Sequence, residues 1–202
     1  MRERRVFVAG STGAVGTAVM RLGGSVALPL VPHLRPKHAA QAPAGAAIFD
    51  LSDEKSLDQA LSGCTTVLQL IGTMRKRFST GDTYDTSDIG TTVQLVESAK
   101  RSGVDHFVLL SSVGAGSPRG AYLKAKARAE ARAAALAAHD PESLARAQSL
   151  ARLAVRDHAP AARTRIDACL GRSRTGPDVA ACLDPGATAV DELAPWSPWH
   201  ER

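Results

Sequence analysis

The sequence predicts an α/β fold with a doubly wound parallel sheet, and three observations carry that prediction. A short apolar run, Val6 to Ala9, leads directly into three glycines at three-residue spacing, Gly10, Gly13 and Gly16. Apolar runs of strand length then alternate with helix-compatible segments as far as about residue 130, the pattern of parallel strands joined by crossover helices. The chain has 202 residues, enough to bury one real core.

The elements follow in order. Val6 to Ala9 is the first strand, and a helix runs behind the glycines over Thr17 to Leu22. Ser25 to Val31 is the second strand, apolar enough to be buried on both faces. Ala46 to Phe49 is a short third strand ending in Asp50. Ser52, Asp53 and Glu54 open a helix, with a capping residue and acids in its first turn, that runs through Leu57 and Leu61 to Gly63. Thr65 to Ile71 is the fourth strand. Asp85 to Ser102 is a longer helix, with Ile89, Val93 and Val96 at helical spacing and Gly103 as its stop. His106 to Leu110 is the fifth strand, ending in Ser111 and Ser112, and a further helix starting near Gly120 carries Tyr122 and Lys126. The expected architecture is Rossmann-like: about five strands in the order 3-2-1-4-5, with a ligand across their carboxyl ends.

The glycine turn points to a dinucleotide pyrophosphate. The first glycine permits a tight turn, the second lets backbone approach the phosphates, and the third lets helix and strand pack closely. Unpaired N–H groups at the helix start, with the positive end of its dipole, face the anion.

Composition narrows the class. No stretch approaches the ~20 apolar residues of a membrane span, and the N-terminus runs straight into a strand, as expected of a chain without a leader peptide. Cys64, Cys169 and Cys182 are widely spaced and odd in number. They read as buried thiols in a reducing cytoplasm, without a disulfide framework or zinc spacing. The net charge is +5, with clusters at Arg2, Arg4, Arg5 and at Arg75, Lys76, Arg77. Neither is interleaved with aromatics, so the expected partner is a small molecule and not nucleic acid. The second cluster follows the fourth strand and would attract an anionic cofactor.

Taken together, the motifs resemble an atypical short-chain dehydrogenase/reductase of the NAD(P)H-binding kind, similar to NmrA-like proteins and complex-I accessory subunits. The resemblance covers residues 5 to about 130. Its pieces are Gly-Ser-Thr-Gly-Ala-Val-Gly at 10–16, Phe-Asp-Leu-Ser-Asp at 49–53, Leu-Gln-Leu-Ile-Gly at 68–72, Asp-Ile-Gly-Thr-Thr at 88–92, the run 98–115, and Tyr-Leu-Lys-Ala-Lys at 122–126. It implies that Gly10, Ser11, Thr12, Gly13, Ala14, Val15 and Gly16 hold the pyrophosphate. Asp50 and Leu51 would border the adenine, and Leu70, Ile71 and Gly72 would run beside the nicotinamide-side ribose. Ser111 would sit near the nicotinamide. Tyr122 and Lys126 match the family's Tyr-x-x-x-Lys pair, with Ser112 orienting the substrate oxygen. A homodimer through the helices after strands four and five fits such a fold without being required.

The chemistry of the pair stands independently. Positions i and i+4 share a helix face, and a neighbouring ammonium stabilises a phenolate. The phenol could then exchange a proton with a carbonyl or alcohol oxygen, while Lys126 also holds the cofactor ribose. Classical members add an asparagine to this group, and the chain contains none. The expected function is therefore an NADP(H)-dependent oxidoreductase acting on a small carbonyl or related substrate, or a dinucleotide-binding regulatory, redox-sensing or assembly protein without turnover. NADP(H) is favoured over NAD(H), because the end of the second strand carries Arg35 and Lys37 in place of the acid that takes a ribose 2′-hydroxyl.

After residue 130 the character changes. Residues 131–202 lack Lys, Phe, Tyr and Met and are rich in Ala and Arg, with Trp196 and Trp199 near the end. The expected division is a dinucleotide-binding domain over 1–130 and a tail over 131–202. That tail is helix-compatible at 131–138 and 142–157, then irregular from Pro160. It reads either as a frameshifted continuation of a GC-rich gene or as a lineage-specific helical cap.

Overall fold

Short runs rich in Val, Phe and Leu form the strands: β1 (Val6–Ala9), β2 (Leu30–Leu34), β3 (Ala47–Ile48), β4 (Thr66–Gln69) and β5 (His106–Leu109). This is seen in a computed structural model that describes residues 3–73, 83–138, 141–155 and 160–183. All neighbours pair in parallel, and the sheet order is β3-β2-β1-β4-β5, as the element order predicts. The cluster Arg75-Lys76-Arg77 and both tryptophans lie outside the described residues.

The chain forms two compact units that divide between Leu110 and Ser111, whereas the composition changes at residue 130. The first unit holds the sheet with α1 (Ala14–Ser25), α2 (Glu54–Leu61), α3 (Thr91–Arg101) and a 3-10 helix at Pro36–Gln41. Side chains alternate across a strand. One face therefore sends Phe7, Ala9, Val31 and Val67 into a core with Leu57 and Leu61 of α2 and Leu95 and Ala99 of α3. On the other face α1 packs on β2. Asp53 caps α2 by accepting the Ser56 N–H, and the α2 residue Asp58 is held by Arg101 of α3 at 2.9 Å.

Two expectations about this unit are corrected. The second strand is not Ser25 to Val31: α1 continues through Gly23 and Gly24 to Ser25, and β2 starts at Leu30. A turn separates them, with Ala27 at φ 52° and Leu28 N–H bonded to Gly23 O. Pro32 is accommodated because β3 pairs only with His33 and Leu34, beyond it. The helix expected from Asp85 is a π-helical turn over Asp85–Gly90 that passes into α3 only at Thr91. Such turns insert an extra residue into the helical ladder.

The second unit contains α4 (Gly120–Ala137), α5 (Pro141–Val155), α6 (Pro160–Arg172) and α7 (Gly176–Cys182). Residues 160–183, expected to be irregular, are therefore largely helical. Small residues make this packing close. Ala127, Ala131 and Ala135 of α4 meet Ala147 and Ala151 of α5 in a core completed by Ile166, Leu170 and Val179. Thr175 and Asp178 form a capping box at the start of α7, which satisfies two backbone donors reciprocally.

The cysteine reading is also corrected. Cys169 and Cys182 form a disulfide with Cα atoms 5.9 Å apart, and Cys64 is a free, buried thiol. Two helices bring the pair together, a proximity that spacing along the chain does not reveal. Disulfides persist in oxidising compartments, so cysteine usage no longer argues for a reducing one. Among the described residues no helix is long and apolar enough to cross a membrane, and no group of His, Cys, Asp and Glu is placed to hold a metal.

Candidate functional site

The glycine turn is built as its spacing demands. Gly10 has φ 87°, a left-handed conformation that side chains strain to adopt. A Cβ there would also lie 3.0 Å from the backbone of Leu70 and Ile71. Gly16 packs so close to the turn that a Cβ would fall 2.1 Å from Gly10 O. Gly13 is the N-cap of α1, with no side-chain cap, and its N–H bonds to Gly10 O at 3.0 Å. The next N–H groups, of Ala14, Val15 and Gly16, have no acceptor within the helix.

This turn forms the middle of a cavity of about 710 Å3, within the size range of small-molecule and cofactor sites. Gly10, Thr12 and Gly13 line its centre. Arg35, Lys37, His38, Gln41, Asp50, Leu51 and Ser52 line one end; Leu70, Ile71, Gly72, Thr73, Thr86, Ser87, Thr91 and Gln94 line the other. The structure thus brings Gly10, Thr12, Gly13, Arg35, Asp50, Leu51, Leu70, Ile71 and Gly72 into one cavity at the carboxyl ends of the strands. Ser11 is buried behind it, donating to His33 O at 2.7 Å. Ala14 and Val15 are exposed on the first turn of α1, and Gly16 is buried beneath it.

The walls are held by side chains that the sequence did not single out. His33 is 4% exposed, and its ring lies between Phe7 and Phe49, with centroids at 5.8 and 4.8 Å. Its Nε2 sits 3.0 Å from Phe49 O. With a carbonyl as partner, that nitrogen must carry the proton. Burial holds the imidazole below its usual pKa, which disfavours its charged form. The ring ties the end of β2 to the segment that leads into Asp50. The Asp50 carboxylate accepts the Ser52 N–H at 3.0 Å and Oγ at 2.8 Å, and these two bonds hold it below the ordinary carboxylate range.

At the other end Gln69 is fully buried in β4. Its Oε1 accepts the Ile71 N–H at 3.0 Å, and its Nε2 donates to Thr91 Oγ1 at 2.9 Å and Thr92 Oγ1 at 3.3 Å. Asp88, in the π-helical turn, accepts the Thr73 N–H at 3.1 Å. The backbone of residues 70–73 is therefore fixed from two sides. A buried glutamine in a strand was the one local sign of this network in the sequence; Thr73, Ser87 and Gln94 carried none.

The candidate catalytic residues belong to the second unit. Tyr122 and Lys126 lie one turn apart on α4, with the ammonium 5.8 Å from the phenol ring centroid. Tyr122 is 39% exposed and Lys126 is 4% exposed. Ser111 Oγ is buried without a hydrogen-bond partner among the described residues, and Ser112 is half-buried.

Comparison with known proteins agrees with the geometry. Residues 10–168 match a family model described as NAD(P)H-binding. Among solved structures, MoeE5 in complex with UDP-glucose and NAD is 21% identical with a TM-score of 0.52, covering 67% of this chain and 50% of its own. The oxidoreductase ylbE from Lactococcus lactis is 21% identical with a TM-score of 0.51, covering 64% of this chain and 63% of its own. At such identities the likeness is one of fold, and the chain spans about half the length of the MoeE5 structure. No curated protein matches the sequence. A glycine turn opening onto this cavity, within a match that covers most of the chain, makes the protein a member of the NAD(P)H-binding family.

Proposed function

We propose that the protein is an NADP(H)-dependent oxidoreductase acting on a small carbonyl or related substrate. The observation that carries this reading is the cavity itself: an anion-binding glycine turn at its centre and three basic side chains, Arg35, Lys37 and His38, at the end beside Asp50 and Leu51. The three glycines and the unpaired N–H groups behind them fit a pyrophosphate, since side chains at Gly10 and Gly16 would clash with the backbone that shapes the turn. Arg35 and Lys37 fit a 2′-phosphate as paired cations.

In this reading Asp50 and Leu51 border the adenine, and Leu70 to Gly72 hold the nicotinamide-side ribose. The dinucleotide, when bound, supplies the hydride. Tyr122 exchanges a proton with the substrate oxygen, Lys126 favours the phenolate and binds the ribose, and Ser112 orients the oxygen. The lack of any asparagine in the chain favours a second reading, a dinucleotide-binding regulatory or sensor protein without turnover.

Titration of the protein with NADPH and NADH tests the cofactor assignment. Arg35→Ala should weaken NADPH by about 10- to 150-fold, the loss of one charge-assisted bond, and leave NADH nearly unchanged. Equal affinity for the two cofactors in the unmodified protein would refute the NADP(H) preference. Cofactor oxidation with a panel of carbonyls separates the two readings: Tyr122→Phe should abolish turnover in an enzyme, and equal rates would remove Tyr122 as the acid.

A further inference from the structure

Position 33 carries a polar side chain where the core face of β2 calls for an apolar one. Residues i and i+2 of a strand share a face, and Val31 belongs to the core that holds Phe7, Phe49 and Leu57. His33 follows Val31 on that face, buried, with its ring against Phe7 and Phe49. A leucine there would bury apolar surface without taking ring nitrogens out of water. The histidine adds a directional bond that no leucine can make.

That bond lands on a short segment. β3 is two residues long, lies at the end of the sheet and pairs with His33 and Leu34. Directly after it, the Phe49 N–H donates to Leu34 O at 3.2 Å, and Phe49 O accepts from His33 Nε2 at 3.0 Å. Asp50, Leu51 and Ser52 follow as a wall of the cavity. The side chains of Phe49 and Leu51 are buried in the core, but apolar burial is non-directional, whereas a hydrogen bond fixes distance and angle. The backbone of the same histidine is held from the glycine turn: Ser11, itself buried, donates its Oγ proton to His33 O at 2.7 Å. One residue thus joins the turn to the wall through two buried hydrogen bonds.

We propose that His33 is a positioning residue for the dinucleotide: through Ser11 and Phe49 it fixes the spacing between the glycine turn and the wall of Asp50, Leu51 and Ser52, which the adenosine half must span from pyrophosphate to adenine. The proposal rests on the dinucleotide reading of the cavity. The opposite end is held by other groups, since Gln69 accepts the Ile71 N–H and Asp88 the Thr73 N–H. Loss of the His33 donor should therefore weaken the adenosine half of the cofactor and spare the nicotinamide half.

Two variants of the full chain test this. His33→Leu keeps an apolar side chain against Phe7 and Phe49 and removes the donor; His33→Gln returns a donor for Phe49 O. Ligand-observed NMR titrations use ADP and 2′,5′-ADP as probes of the adenosine half and nicotinamide mononucleotide as the probe of the other. His33→Leu should weaken both adenosine probes about tenfold and leave nicotinamide mononucleotide within about twofold, and His33→Gln should recover most of the lost affinity. Amide exchange over 49–52 should accelerate in His33→Leu and stay near the wild-type rate in His33→Gln. Wild-type affinity for the adenosine probes in His33→Leu, or an equal loss in His33→Gln, would overturn the positioning role. An equal loss for nicotinamide mononucleotide would overturn it too, by making the effect one of general stability. A wild-type protein that binds none of the probes would refute the dinucleotide reading. The exchange measurement decides the His33 link with or without nucleotide: unchanged exchange over 49–52 in His33→Leu overturns it, and acceleration reversed by His33→Gln supports it.

Discussion

Gly16→Ala isolates what the glycine turn contributes. Gly16 lies within α1, where alanine would ordinarily gain about 1 kcal/mol over glycine. At this position, however, a Cβ would meet Gly10 O at 2.1 Å, Ser11 Cα at 2.7 Å and Ser11 C at 2.8 Å. All three are backbone atoms, so no side chain can swing aside, and turn and helix must separate by roughly 1 Å in an interior that is close-packed. Overpacking of this kind costs about 1–3 kcal/mol or more, and three simultaneous backbone contacts place it at the upper end. Net of the helix gain, we expect a loss of about 2 kcal/mol, with NADPH affinity falling by at least tenfold as the N–H groups at the start of α1 move. Gly24→Ala is the control: it lies in the same helix, and its Cβ would meet nothing within 4 Å, so it should be neutral or stabilising by up to about 1 kcal/mol. Urea unfolding and NADPH titration of the three proteins suffice. A Gly16→Ala protein with wild-type stability and affinity, or a Gly24→Ala protein equally damaged, would refute the argument.

Two further outcomes follow from the packing. His33 is held below its usual pKa by burial, so the unfolded chain takes up its proton at higher pH than the folded one. That contribution to stability is complete above the unfolded value, about 6.5, and is lost as pH falls from there toward the folded value. His33→Gln keeps a donor for Phe49 O without titrating, and should flatten the rise in melting temperature between pH 5 and 7; an unchanged pH profile would show that His33 is not the group responsible. In the second unit, Gly176→Ala should pull α7 away from α4, because a Cβ would fall 1.9 Å from Ala135 O; hydrogen exchange should accelerate over 176–183, and unchanged protection there would contradict the close packing.

The features that were legible in the chain are local ones. Strand order and the glycine turn could be read because an apolar run, a turn residue and a helix start lie next to one another, and each constrains the backbone at short range. The basic end of the cavity could be read in part, from Arg35 and Lys37 following a strand. The start of β2 differs because Gly23 and Gly24, which follow the expected helix end at Leu22, are absorbed into α1. There a Cβ at Gly23 would meet the Leu30 side chain at 2.3 Å, and the Gly23 carbonyl accepts the Leu28 N–H in the turn before β2. The helices over 160–183 were missed for a related reason. Alanine and glycine carry little hydrophobic signal, yet they let α4, α5 and α7 approach until modest side chains such as Val179 and Leu170 are fully buried.

The sequence by itself determined that a dinucleotide-type turn follows the first strand and that four more strands come after it in an order set by their crossovers, because both are consequences of spacing along the backbone. Only the tertiary structure decided which side chains share a space. It joined Cys169 to Cys182, placed His33 between two aromatic rings, and set Thr73, Ser87 and Gln94 in the lining of one cavity. Partnership in each case depends on distance through space between separate elements, and no local pattern encodes it.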